Sequence, residues 1–387
     1  METLEELLRM ENKIWLSSPH LGHKERAYVN EAFDTNWIAP VGPHIQRFEE
    51  SLVRYCGVQH VAALSSGTAA IHLGLKLLGV GKGDYVLCQS FTFCGSANPI
   101  LYLGATPVFI DSEWETWNMD PALVEQAILK LPKRPKCIIP VHLYGMPAQM
   151  DKINEIAGKY EIPVLEDAAE ALGSRYLSKP CGSLGTLSAI SFNGNKIITT
   201  SGGGALMGDN KSMVEKAKFL ATQARDLAPH YQHSELGYNY RLSNVSAAIG
   251  IGQMEVIDQR VQKRRDNFEK YKAYFEGLNK EGYQIRFQPE LKDSYSNRWL
   301  TCVLIDPDVN RGISTEKVRI ALEGENIESR PLWKPMHLQP LYKEYNFVGG
   351  SVSDQLFKQG ICIPSGSNLS TEHFDRIFEV LDRIFSI

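Results

Sequence analysis

The chain has 387 residues, 43% of them hydrophobic, ample for a buried core and long enough for one large domain plus a smaller one. Its 41 basic and 45 acidic residues are interspersed and leave a formal charge of -4, so neither nucleic acid nor an anionic membrane surface is expected as a main partner. Seven cysteines, scattered and without a CxxC pair, read as reduced buried thiols rather than zinc ligands or disulfides.

The N-terminal stretch METLEELLRMENK (1–13) is acidic and has no apolar centre, so it reads as an extension and not as a secretion or transit signal. No segment approaches the apolar run needed to span a bilayer, and a soluble, cytoplasmic protein is expected. From about residue 60 to 210, short β-branched runs alternate with amphipathic stretches. HVAAL (60–64), DYVLCQ (84–89), TPVFID (106–111), KCIIPV (136–141) and IPVLED (162–167) read as buried strands. TAAIHLGLKLLG, PALVEQAILKL and MDKINEIAGKY carry apolar residues at helical spacing between them. This alternation predicts an α/β fold with a largely parallel sheet and helices on both faces. Ligands bind such sheets where strands end and helices begin.

A long charged helix over 253–278 is expected to lead from a large domain (14–260) into a small C-terminal domain (261–387). There NRWLTCVLI reads as a strand, STEKVRIALEGEN as a helix and FDRIFEVLDRIF as a closing amphipathic helix. Internal repeats and low-complexity segments are absent.

Three features fall at predicted strand ends. SSGTAAIHL (65–73) offers small residues and a helix start, whose free N–H groups suit a phosphate; an ordinary helix cap has the same appearance. EDAAEALGS (166–174) ends its strand on Asp167, which either caps the next helix or holds a cationic group of a cofactor. SFNGNKIITTSGGGALMG (191–208) places Lys196 in a polar, glycine-bearing segment, where a lone lysine is otherwise a solvated charge. The combination matches what pyridoxal 5'-phosphate (PLP) requires: N–H donors for its phosphate, an anion for its ring nitrogen and an amine for its aldehyde.

SSGTAAI, EDAAEALG and SFNGNK resemble the sugar aminotransferases of the DegT/DnrJ/EryC1/StrS family, from about residue 14 to the C-terminus. The resemblance implies fold type I of the PLP-dependent transferases, aspartate aminotransferase-like, with a mostly parallel mixed sheet flanked by helices and a smaller C-terminal α+β domain. It implies that Lys196 is the Schiff-base residue and proton carrier and that Asp167 pairs with the pyridinium nitrogen. Gly67, Thr68 and Ser191 are implied to hold the phosphate, with Phe93 against the cofactor face. Asn239 is implied to reach the phosphate from the neighbouring subunit of a homodimer with shared sites. NWIAPVGP (36–43), QSFTF (89–93), GYNYRLSN (237–244), ESRPLWKPMH (328–337) and GICIPSG (360–366) are similar to one subgroup. Its members aminate C4 of UDP-linked 4-keto-6-deoxy-N-acetylglucosamine in bacillosamine and exopolysaccharide pathways. On the substrate side that likeness implies Asn36, Trp37, Ile38, Ala39, Arg241, Arg330 and His337, with L-glutamate as amino donor. Arginines suit a diphosphate through their planar array of donors, and half of a surface ion pair is the less favoured reading of Arg330.

The chain departs from the broad family at two places. Position 170, more often Gln or His and in contact with the cofactor's phenolic oxygen, is Glu170 here, and the glutamate that many relatives carry after the lysine is replaced by SGGG (201–204). Other readings are a different nucleotide keto sugar (dTDP- or GDP-linked) and a PLP-binding regulator without catalysis. Sugar dehydratases of this fold generally carry histidine at the lysine position, and Lys196 argues against them. No metal is expected.

Overall fold

The computed structural model describes residues 12–385, so all but the last two positions of the predicted N-terminal extension lie outside the described residues. Helices α1 (Glu25–Asp34) and α2 (Pro43–Cys56) precede the first strand. Helix α2 opens on a proline, whose missing N–H costs nothing there, and stops at Gly57, which takes the left-handed conformation at φ 69°. The apolar runs then become strands β1 (His60–Leu64), β2 (Tyr85–Gln89), β3 (Thr106–Ile110), β4 (Cys137–Ile139) and β5 (Leu165–Asp167). Between them lie α3 (Gly67–Leu77), α4 (Cys94–Tyr102), α5 (Pro121–Lys130) and α6 (Met150–Lys159). A small hairpin, β6 (Arg175–Tyr176) and β7 (Lys179–Pro180), leads to β8 (Leu187–Ser191) and β9 (Gly204–Gly208).

Strands β2, β3 and β4 pair in parallel, as do β5 and β8. Parallel bridges at Ile138–Val164 and Val141–Asp167 join the two groups into one continuous surface. Strand β9 runs antiparallel to both β8 and β1, and these two reversals return β1 to the direction of β8. The C-terminal ends of β1, β2, β4, β5 and β8 therefore share one edge, where ligands bind in such sheets. Alternation along β1 divides its side chains between two cores: Ala62 and Leu64 pack under α3, whereas Val61 and Ala63 pack with α2 residues such as Phe48 and Leu52.

Helices α7 (Lys211–Ala221) and α8 (Asn244–Met254) cover the sheet, and α9 (Ile257–Lys280) leaves it. The predicted helix over 253–278 is thus broken between Met254 and Ile257. Helix α9 begins with Ile257 and Val261 in a core of the large sheet and ends with Tyr271 and Phe275 in a separate one. That second core belongs to the antiparallel sheet of β10 (Ile285–Phe287), β12 (Thr301–Ile305), β13 (Arg330–Pro331) and β15 (Gly360–Ile363), in the order β10-β12-β15-β13. Strand β11 (Ser294–Tyr295) extends the small hairpin and β14 (Phe347–Val348) the large sheet. Helices α10 (Thr315–Gly324), α11 (Val352–Gln359) and α12 (Thr371–Phe385) complete the C-terminal part.

The predicted strand over 297–305 begins only at Thr301, because Arg298 takes φ 51° and the Asn297 side chain donates to the carbonyls of Glu170 and Leu172. All seven cysteines are free thiols, six buried and Cys94 half-buried. No helix among the described residues is long and apolar enough to cross a membrane.

Candidate active site

The common edge of the sheet opens into a cavity of about 520 Å³. At the end of β1, Ser66 caps α3 by accepting the Ala69 N–H at 3.0 Å. The N–H groups of Gly67 and Thr68, at the free start of that helix, have no intrahelical acceptor, and both residues line the cavity beside Ser191. Strand β9 presses directly on this turn. A Cβ at Gly204 would lie 2.3 Å from the Ser66 carbonyl carbon, and one at Gly67 would lie 3.0 Å from Cβ of Ser191.

Asp167 closes β5 with its carboxylate 4% exposed. One oxygen accepts the Ser96 hydroxyl at 2.6 Å and the other the Ala169 N–H at 3.1 Å, and Thr92 steadies Ser96 at 2.8 Å. Burial pushes the Asp167 carboxyl above its ordinary range, and among the described residues no cation forms an ion pair with it. A buried anion in that state gains from a cationic ligand.

Its neighbour Glu166 points the other way and is fully occupied. It accepts His142 Nε2 at 2.8 Å, Ser188 Oγ at 2.6 Å and the N–H groups of Gly182, Leu184 and Gly185. Burial pushes Glu166 up, but the His142 contact and these donors more than offset it and hold the carboxyl below its usual range. His142 Nδ1 is taken by the Ala148 N–H at 3.0 Å. His142, Glu166 and Cys181 come within 4.8 Å of one another, and the His142 and Glu166 atoms among them are already engaged in these hydrogen bonds.

Lys196 lies in the turn between β8 and β9, 12% exposed. Its Nζ is 3.3 Å from Glu170 Oε1 and 4.1 Å from the centre of the Trp299 ring. The other Glu170 oxygen accepts the Tyr144 N–H at 2.7 Å. Burial pushes the Glu170 carboxyl up to about 7, with the charge of Lys196 opposing the shift. A carboxyl raised in the folded state binds its proton more tightly there than in the unfolded chain. Its contribution to stability is therefore present below the ordinary value of 4.5 and lost as pH rises through about 7. Glu170→Gln keeps the shape and removes the titration. The variant is expected to remain active, to lose the ionisation near 7 from its pH–rate profile, and to lose this residue's share of the stability decline across that window. Parallel rate profiles and thermal melts of the two proteins check it; superimposable profiles would show that Glu170 does not titrate in the working range.

Of the residues singled out in the sequence, Gly67, Thr68, Phe93, Asp167, Glu170, Ser191, Lys196 and Arg330 share this cavity wall. Arg330 donates through Nε and Nη2 to Glu328 Oε1, whose other oxygen takes the Leu16 N–H. The remaining residues lie outside the wall. Asn244 pins the loop of Asn36, Trp37, Ile38 and Ala39 through the Trp37 and Ala39 carbonyls. Arg241 is engaged by Glu49 at 2.6 Å, and His337 by Ser90 at 2.7 Å and Asp354 at 3.0 Å. Asn239 is exposed in a surface segment with Leu227, Tyr231 and Leu236. Ser96, Trp299, Trp333 and Glu328 also line the cavity and were not singled out. Trp333 was visible only inside the string ESRPLWKPMH, and Ser96 reads as an ordinary helix residue.

The sequence profile of the DegT/DnrJ/EryC1/StrS aminotransferase family matches residues 19–382. The chain belongs to this family. EpsN of Bacillus subtilis (strain 168), whose name describes a pyridoxal phosphate-dependent aminotransferase, is 51% identical over 383 residues, covering 97% of each chain. GDP-perosamine synthase of Escherichia coli O157:H7 is 36% identical over 368 residues, covering 95% of this chain and 97% of that one. Among solved structures, the sugar aminotransferase Spr1654 of Streptococcus pneumoniae in its PMP form superposes with a TM-score of 0.87 at 26% identity, covering 97% of this chain and 98% of that one.

The fold is that of the family's PLP-dependent aminotransferases, and pyridoxal 5'-phosphate is the cofactor. The donor set of this DegT/DnrJ/EryC1/StrS chain fits that group. Free N–H groups and a hydroxyl at one end, a buried carboxylate lacking a cation and an amine facing the same cavity match a phosphate, a protonated ring nitrogen and an aldehyde in turn.

Proposed function

We propose that this sugar aminotransferase moves an amino group from L-glutamate to C4 of a UDP-linked 4-keto-6-deoxy-N-acetylhexosamine, giving a UDP-4-amino-4,6-dideoxy-N-acetylglucosamine-type product. The observation that carries the amino-transfer part is the placement of Lys196 Nζ beside Glu170 and over Trp299, in the cavity that also holds Asp167 and the start of α3. The UDP-N-acetyl sugar and glutamate rest on the resemblance of strings such as NWIAPVGP and ESRPLWKPMH. Pyridoxal phosphate, when bound, supplies an electron-accepting ring and an aldehyde carbon that takes up and releases the amino group.

The protein's part is to hold and to move protons. Gly67, Thr68 and Ser191 would hold the phosphate and Phe93 would pack against the cofactor, all four lining the cavity. Asp167, its carboxylate fixed by Ser96 and Ala169, keeps the ring nitrogen protonated. Lys196 Nζ would be the amine that meets the aldehyde, and it would take the proton from the donor Cα. It returns a proton to the sugar carbon in the second half, so one base serves both directions. Glu170, with a carboxyl near neutrality, is the adjacent group able to share that proton. Trp333 and Trp299, tilted against each other at 6.2 Å between centres, form an aromatic side to the cavity with Phe93.

The shared-site homodimer belongs to the same proposal. Exposed Leu227, Tyr231 and Leu236 precede exposed Asn239 in one surface segment, and a second copy would cover these apolar side chains. A GDP-linked 4-keto sugar is the second reading, favoured by the 36% identity to GDP-perosamine synthase. Incubation with glutamate and a panel of UDP-, GDP- and dTDP-linked 4-keto and 3-keto sugars, read by mass spectrometry, decides between them. Amination of the UDP-N-acetyl sugar is the expected result; a product from the GDP sugar alone would replace it with the second reading, and none from any sugar would remove both.

A further inference from the structure

Arg264 on α9 is 1% exposed, and among the described residues no carboxylate lies within ion-pair distance of it. Among the described residues its Nε has no hydrogen-bond partner. Burying a guanidinium without an anion opposes folding, so its remaining hydrogen bonds must compensate, and where they go is informative. Nη1 donates to the carbonyls of Trp299 and Ser365, and Nη2 to Ser17 Oγ at 2.9 Å.

Both principal partners lead to one atom. The Ser17 hydroxyl donates to the Asn195 carbonyl at 2.7 Å, and the Trp299 indole N–H donates to the same carbonyl, also at 2.7 Å. Arg264, Ser17, Asn195 and Trp299 thus close a ring of hydrogen bonds that joins the N-terminal segment, the turn after β8, the long helix and the approach to β12. Asn195 immediately precedes Lys196 in an exposed turn outside regular structure, and Trp299 is also the ring beneath Lys196 Nζ. Among the described residues no other group donates to the Asn195 carbonyl, so the two donors set both ends of the lysine: its backbone and the surface its amine rests on.

We propose that Arg264 is a positioning residue for Lys196, acting through Ser17 and Trp299 on the Asn195 carbonyl. The proposal rests on Lys196 being the catalytic amine. It makes the helix that links the two cores a determinant of where that amine stands, and it gives the buried, acid-free arginine a use.

The test compares Ser17→Ala, Arg264→Met and Arg264→Lys in the purified full-length protein with its cofactor. Amide hydrogen exchange across residues 194–197 is expected to quicken about tenfold in Ser17→Ala and Arg264→Met, while exchange within β8 and β9 stays unchanged. In both, kcat is expected to fall about tenfold with KM for the keto sugar held within about twofold, and Arg264→Lys should recover part of the loss. Wild-type exchange at 194–197 in a folded Ser17→Ala protein overturns the proposal even if Arg264→Met fails to fold. Faster exchange with unchanged kcat overturns the positioning role. Borohydride trapping that labels another lysine in the wild type refutes the reading of Lys196 instead, and leaves the exchange result standing.

Discussion

Lys196→Ala is expected to lower turnover at least about a thousandfold, the scale of a positioned acid–base group, while the protein still binds its cofactor. The two outcomes separate because the amine and the binding groups are on different elements. Lys196 comes from the turn after β8, whereas Gly67 and Thr68 start α3 and Asp167 ends β5. Removing the lysine leaves the helix start and the carboxylate untouched. It also leaves Glu170 without its cation, and with burial already raising that carboxyl to about 7, protonation relieves the charge and the fold survives. Steady-state rates with glutamate and keto sugar, alongside cofactor content by absorbance, are the measurements. Turnover within tenfold of wild type would falsify the assignment.

Asp167→Asn is expected to cost about a hundred- to a thousandfold in kcat, the usual effect of removing one preorganised electrostatic partner. Its stability should move the other way. Burial raises the Asp167 carboxyl, so ionising it in cofactor-free protein opposes folding, and that penalty grows as pH rises through its folded value. An amide of the same shape can accept the Ala169 N–H and donate to Ser96 Oγ, whose own proton then turns to Thr92, and it carries no charge. Cofactor-free Asp167→Asn should therefore melt at or above the wild-type temperature at pH 8 while being nearly inactive when loaded. A variant that lost stability and kept its rate would mean that Asp167 braces the sheet and does not serve the ring nitrogen.

The large sheet was readable because its strands are buried on both faces. HVAAL became β1 over the same five residues, and the helices after β1, β3 and β4 fall within two residues of their apolar spacing. Asp167 and Lys196 were also visible, since a parallel sheet fixes the ligand edge and both residues follow strands that end on it. Ser96 was not: it looks like any hydroxyl in a helix, and only packing α4 against the end of β5 gives it Asp167 as partner. Trp299 was hidden because NRWLTCVLI has the composition of an uninterrupted strand, while the left-handed turn at Arg298 depends on the Asn297 side chain reaching across to the loop after β5. Glu328, Arg330 and Trp333 reach the cavity from the second sheet and its approach, and chain-local patterns carry no information about that docking.

The run of glycines that follows the lysine carries unequal constraints at its three positions. A side chain at 204 would enter the backbone of the Ser66–Gly67 turn, and one at 203 would meet Thr200 Oγ1 at 2.2 Å. Position 202 has nothing within 4 Å of where its Cβ would stand, yet it belongs to the cavity wall. Variation in this short stretch is thereby confined to its first member, which offers a vacant attachment point facing the chamber. A side chain placed there would face the chamber without entering the turn at Ser66 and Gly67.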